Sequence, residues 1–384
     1  MSTLKVTNIK HEDTTNGGIQ LDSDGHVQVD GIQLPTTGTL SNRNLIINGA
    51  MNVAQRNSSG TSNGFTCIDR FGRDVNSGTG TFTDSQQTLS SGAPYDEGFR
   101  KFYRTASSSA STAGTTSYLQ VRYKAEAQDI ACSGWEYTSS SSYITLSFWV
   151  RASVAQTYGF SVQSHDGTDY VYNKTFDLSA DTWTKVTQSI PGRSGLTFDN
   201  NNGIGLIIKW FPHLGSTYNG ATDDTWDTVA NSNYGASLGT DWWTASSATF
   251  DLTGVQLEVG EMATPFEHRK YGDELARCQR YYQELDIGDN NNVLHMNFTR
   301  YSHGSGNPFA YSTFPVQMRA APSFSFLGET YNASGYTGNP TLGAASVNGV
   351  QLNGGNSASA NATHYLRPNN DSGDFLRLTF SAEL

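Results

Sequence analysis

Residues 142–152 read SYITLSFWVRA, and the alternation within them decides the fold. Ile144, Leu146, Phe148 and Val150 occupy every second position, with Thr145, Ser147 and Trp149 between them. Successive side chains of an extended chain point to opposite faces, so one face of such a strand meets a core. Outward from this stretch the same signal recurs at Leu45–Ile47, Lys101–Arg104, Tyr118–Tyr123, Gly159–Gln163, Tyr170–Phe176, Thr184–Ser189, Gly203–Trp210 and Ala248–Val259. Strands at short spacing with turn-rich connections predict an all-β chain, with a jelly-roll β-sandwich over residues 41–268.

Composition points the same way. Of 384 residues 39 are glycine and only 15% are charged, so polarity comes mainly from Ser, Thr, Asn and Gly. Aromatic residues reach 12%, and all seven tryptophans lie between Trp135 and Trp243, marking a compositional boundary on either side. The formal net charge of −11 argues against a nucleic-acid partner, because phosphate binding needs a basic face. No apolar run is long enough to span a bilayer, so no membrane insertion is expected. The opening MSTLKVTNIK has no apolar stretch behind its charges, which makes synthesis in a cytoplasm the expectation. Cys67, Cys132 and Cys278 are widely spaced and outside any CxxC pattern, as small buried hydrophobes are.

The flanking regions differ from the sandwich. Residues 1–40 include GGIQLDSDGHVQVDGIQLP, short strand signals with too little apolar surface to bury a core. They predict an attachment or oligomerisation arm. Over 269–285 the period changes: Tyr271, Leu275, Cys278 and Tyr282 fall at i, i+4, i+7 and i+11, the stripe of one short helix. Asp273 and Arg277 add a pair four residues apart, Pro265 precedes the helix and Gly288 is placed to end it. A helix of this length is marginal alone, so its stripe needs cover from its own sheet or from sister helices, and the expectation is the second, a trimerisation linker. Residues 286–384 return to strand signals and form a C-terminal β tip domain, whose Gly- and Asn-rich segment 328–362 leaves a thin core that trimerisation would supplement.

The chain carries no HExxH, no GxSxG and no phosphate-cradling glycine loop. No enzyme activity, catalytic residue, metal or cofactor is therefore expected. Phe211 to Ser247 shows almost no alternation and holds Tyr218, Trp226, Tyr234, Trp242 and Trp243. Flat aromatic faces bind the C–H faces of sugars, and the same rings can instead cap a sandwich core; both readings stand. Asp223, Asp224 and Asp227 in ATDDTWD have the make-up of a sugar subsite, of an oxygen site for a cation, or of a solvated loop. Tyr336 and Tyr365, amid Asn and Gly, have the composition of adaptable recognition loops and join the glycan candidates.

Two stretches carry a resemblance. NLIINGAMNVAQRNSSGTSNGFTCIDRFG (44–72) and FDLTGVQLEVGEMATPFEHRKYGDELARCQRYYQ (250–283) resemble the opening and closing signatures of fibre-like structural proteins of tailed bacteriophages, marine and cyanobacterial ones in particular. The region between them is similar to the jelly roll of family 4/9-type carbohydrate-binding modules. Such modules carry acidic residues after the opening Asn-Gly that help hold a structural calcium. Here Asn48-Gly49 is followed by Ala50-Met51-Asn52, although Asp251 matches the acidic position of the closing strand. The resemblance implies a non-enzymatic virion structural protein: a homotrimeric tail fibre that joins a tail or capsid protein through its N-terminus and meets a host-surface glycan. A capsid-attached decoration protein and a polysaccharide-degrading tail spike are the alternatives.

Overall fold

All four apolar positions of the alternating stretch reach the core: Ile144, Leu146, Phe148 and Val150 are fully buried in a strand running Tyr143–Ala152. The computed structural model describes residues 8–9, 18–21, 27–29, 32–33, 42–289, 296–298, 309–328, 330–332, 340–353, 364–368 and 375–384. It divides into two units, Met1–Arg269 and Lys270–Leu384.

In the first unit β1 (Asn8–Ile9), β2 (Ile19–Leu21), β3 (Val27–Val29) and β4 (Ile32–Gln33) form a four-stranded antiparallel meander. The sandwich follows, built from β5 (Ser59–Gly60), β6 (Phe71–Asn76), β7 (Phe82–Thr88), β8 (Lys101–Ser107), β9 (Tyr118–Glu126), β10 (Tyr143–Ala152), β11 (Gln156–Ser164), β12 (Tyr170–Leu178), β13 (Thr184–Pro191), β14 (Ile204–Leu214), β15 (Trp226–Thr228) and β16 (Thr249–Val259). One six-stranded sheet runs β13-β10-β16-β8-β7-β5, the other β15-β12-β11-β14-β9-β6. The central strands give alternate residues to one shared core. Phe148 of β10 meets Phe160 of β11 at 5.6 Å and Trp210 of β14 at 5.8 Å, edge to face across the gap between sheets. This is the expected jelly-roll β-sandwich.

The second unit opens with a helix at Tyr271–Gln279. It continues as β17 (Tyr282–Asp289), β18 (Met296–Phe298), β19 (Phe309–Thr313), β20 (Ser323–Gly328), β21 (Thr330–Asn332), β22 (Thr341–Ser346), β23 (Gly349–Asn353), β24 (His364–Pro368) and β25 (Phe375–Ser381). These pair as three three-stranded sheets, β17-β25-β20, β18-β24-β21 and β19-β23-β22. Among the described residues the core of this unit centres on Met318, Leu352, Leu378 and Phe380.

The structure corrects the expected elements in several places. Leu45–Ile47 is not a strand. The helix is shorter than 269–285, and both Tyr282 and the expected stop Gly288 belong to β17. The stripe consequently does not act as one face. Cys278 and Tyr282 are buried within the chain, Leu275 is half-buried, and Tyr271 is 60% exposed. The backbone of Ala382 donates to Tyr281 O and that of Arg319 to Arg280 O, which fastens the end of the helix to its own unit.

Candidate functional site

The two stretches that carried the resemblance meet in space, and what they build is a clamp. The Asn44 side chain donates to Val255 O at 3.1 Å and accepts from the backbone N–H groups of Ile46 and Leu257. Asn48 donates to the carbonyls of Val53 and Asp69 and accepts from Val53 N. Gly49 is required by contact, since a Cβ there would stand 2.0 Å from Val255 O. Glu267 accepts from Arg43 N and Asn44 N, and Arg269 reaches the carbonyls of Ile46 and Asn44. Opening and closing segments are thus locked together by buried polar groups that satisfy one another.

Asp251 serves as an anchor between sheet strands and not as a calcium ligand. It is fully buried on β16, and its register neighbours are Arg151 on β10 and Arg104 on β8. Arg104 Nε lies 2.7 Å from one carboxylate oxygen, and Arg151 NH2 lies 2.7 Å from the other. Two guanidinium groups occupy the directions a cation would need. Among the described residues no group of three or more His, Cys, Asp or Glu could hold a metal ion.

The aromatic loop divides between the two roles open to it. Its start moves, because β14 runs on to Leu214. Trp242 and Trp243 sit on a short helix, Asp241–Thr244, and are fully buried. Their indole N–H groups donate to Thr249 O and Thr112 O, and both rings stack on Phe82. They close the core, which removes them as glycan contacts. Trp226 lies in β15 at the sheet edge, half-buried, donating to Pro191 O. Two of the three ATDDTWD carboxylates fold back onto β12, Asp223 accepting from Thr175 and Asp224 from Tyr172 and Lys174, while Asp227 lies in β15. Tyr336 lies outside the described residues, and Tyr365 falls in β24.

Tyr234 and Tyr218 land elsewhere, over a cleft of about 390 Å³ on the outer face of the β15-β12-β11-β14-β9-β6 sheet. Tyr118, Tyr218 and Tyr234 form a half-exposed wall, each edge to face with the next at 5.6 and 5.8 Å. The floor comes from outward positions of the strands. Asp74 accepts from Tyr118, Gln120 and Arg122 at 3.0 to 3.3 Å. Lys209 is buried, donates to Gln163 Oε1, and holds its ammonium 4.2 Å from the centre of the Tyr234 ring. Gln163 donates in turn to Asp169, which also meets His165 Nδ1 at 3.1 Å. Burial, then the neighbouring Arg122, pushes the Lys209 ammonium down to about 7.

No family model and no curated relative matches the sequence. Among solved structures, the enzymatically active domain of tailspike protein 4 of bacteriophage CBA120 aligns at 7% identity and a TM-score of 0.30, over 56% of this chain and 21% of that one. A CBM4 structure aligns at 12% identity and a TM-score of 0.28, over 56% of this chain and 98% of that one. A family 11 carbohydrate-binding module from Clostridium thermocellum aligns at 13% identity and a TM-score of 0.25, over 55% and 98%. The chain thus spans about a fifth of the tailspike structure.

The sequence reading missed the cleft floor. Its signal was present in GIGLIIKWF (203–211), where Lys209 interrupts an otherwise apolar run. A lone lysine at mid-strand calls for a partner or a purpose. Which residues stand beside it depends on the register of β14 with β9, and no local pattern encodes that.

Proposed function

We propose that the protein is a non-enzymatic virion fibre protein, a homotrimer attached to a phage tail through its N-terminal arm, whose sandwich binds a host-surface glycan. The cleft supports the glycan part of this reading. It combines a wall of three tyrosines, able to pack against sugar C–H faces, with a floor of hydrogen-bonding side chains at fixed positions. The exposed Tyr271 at the start of the second unit's helix supports self-association.

The deciding experiment is titration of purified protein with host-cell polysaccharide by calorimetry, on wild type and on Tyr218→Ala and Tyr234→Ala. Loss of one stacked ring is expected to weaken binding about tenfold, at roughly 1 to 2 kcal/mol per aromatic contact. Binding unchanged in both variants would overturn the cleft as the site. Light scattering near three times 41.7 kDa is the expected mass of the assembly. A monomer at low concentration would remove the trimer, and labelling on intact virions would separate tail from capsid.

A further inference from the structure

The cleft's charge is one-sided, in a protein that is acidic as a whole. Arg122, Lys124 and Lys209 line it against the single lining carboxylate of Asp74. Arg122 and Lys209 are also direct register partners across β9 and β14. Like charges directly opposite on neighbouring strands repel, and here one of them is buried as well. The Arg122 Nε–H is buried with no hydrogen-bond acceptor, while its NH1 is held at 3.2 Å by Asp74. Lys209 has a neutral amide oxygen and an aromatic ring around it, but no carboxylate within ion-pair distance. The floor therefore holds two adjacent cations and an unused donor, with about 390 Å³ of open space above them.

From this the geometry points to an acidic polysaccharide as the ligand, with a sugar carboxylate or sulfate seated between Arg122 and Lys209. The inference rests on the glycan reading of the same cleft and specifies its chemical class. An anion there offsets the cross-strand repulsion and gives the Arg122 Nε–H an acceptor. The depressed Lys209 ammonium fits the same picture, because a bound anion favours its charged form and so draws a proton in. The charged or titratable groups facing Lys209 are Tyr118, Arg122 and Lys124 from β9, Asp74 from β6, His165 and Asp169 at the end of β11, and Tyr218 and Tyr234 from the covering loop.

The test uses full-length protein on immobilised pairs of polymers: alginate and polygalacturonate with their carboxyl-reduced forms, and dextran sulfate with dextran. At least one acidic polymer is expected to bind about tenfold or more tightly than its neutral partner, and Lys209→Met is expected to abolish that preference. Binding to the acidic polymer should also strengthen as pH falls from about 8 to about 6. That slope should vanish in Lys209→Met and survive in His165→Gln. Equal binding within every pair, or a preference that Lys209→Met leaves intact, overturns the acidic ligand while leaving a glycan site in place. Binding to no polymer and to no host polysaccharide overturns the glycan reading itself. Circular dichroism on each variant confirms that lost binding is not lost fold.

Discussion

The two outer faces of the sandwich solve the same problem in opposite ways. Each places charged side chains directly opposite one another across a ladder. On the β10-β16-β8 face the row reads Arg151, Asp251, Arg104, and the chain supplies the anion that holds its two cations. On the β9-β14 face Arg122 stands opposite Lys209, and Asp74 pairs with Arg122 but not with Lys209. The first row is closed, with Arg151 further covered by the Trp183 ring at 4.7 Å. The second opens into a cleft. A charge row that satisfies itself is framework, and one that lacks its counter-ion is a place where something else can bind.

Breaking the closed row should have the largest effect. Asp251→Ala leaves Arg104 and Arg151 facing each other over a side chain that can no longer separate them. It is expected to lower unfolding free energy by about 3 to 5 kcal/mol, the range for removing one partner of a buried charge network. Urea unfolding measures this directly. A change within about 0.5 kcal/mol, the ordinary range for surface substitutions, would mean that the row is not structural.

Four residues beyond Lys209 on β14 lies a second buried titratable side chain, a histidine. His213 meets Ser117 Oγ at 2.8 Å and stacks on Trp243 at 4.4 Å. Ser117 Oγ already donates to Gly114 O, so the imidazole Nε2–H is the donor and Nδ1 is left bare and buried. Protonating Nδ1 would bury a charge with no acceptor, and desolvation lowers this group to about 4. The unfolded chain takes up a proton near 6.5 and the folded chain only near 4. Across that window the unfolded state binds more protons, so stability falls as pH drops. The loss approaches about 3 kcal/mol at the acid end. His213→Gln should flatten this part of the stability–pH curve, and an unchanged slope would assign the acid limb to other groups.

Opening the second row further should have a smaller effect, of the opposite sign. Lys209→Met removes a buried cation beside another cation, so stability at neutral pH is expected to rise by about 1 kcal/mol. The folded ammonium titrates near 7 and the unfolded one near 10.5, so its destabilising effect is complete below 7 and fades as pH climbs toward 10.5. The variant's advantage should shrink over that range. Destabilisation on substituting Lys209 would make the cleft floor framework like the other face, and would remove the contrast between them.

How much of this was legible depended on the range of the interactions. The alternation of β10 is local, and all four expected positions are buried. β7 was missed because FTDSQQT reads as a polar loop; its Asp84 is buried 3.2 Å from Arg73 of β6, and only the tertiary pairing accounts for it. The short helix was recognised, but its end was not, because Tyr282 continues the helical period and is nevertheless taken by pairing with β25. In the aromatic loop Tyr234 and Trp243 carry the same local signal. One reaches the cleft and the other the core, since Trp243, with Trp242, lies on the short helix Asp241–Thr244 and is fully buried there.

ATDDTWD gives the smallest test and the most direct check on the comparison. Asp224 joins Lys174 at 2.5 Å and the Tyr172 hydroxyl at 3.1 Å, a pairing as short as those of Asp251. Distance alone would rank the two alike. Solvent separates them: the side chains of Asp224 and Lys174 are 49% and 30% exposed, whereas that of Asp251 is fully buried. Water screens the exposed pair and re-solvates Lys174 once its partner is gone. Asp224→Ala is therefore expected to cost about 0.5 kcal/mol, and less in high salt, where Asp251→Ala should change little. Equal losses for the two variants would show that contact geometry, not burial, sets the worth of a charge row in this sandwich. The buried Lys209, which has no ion-pair partner among the described residues, would then need an account other than a missing counter-ion.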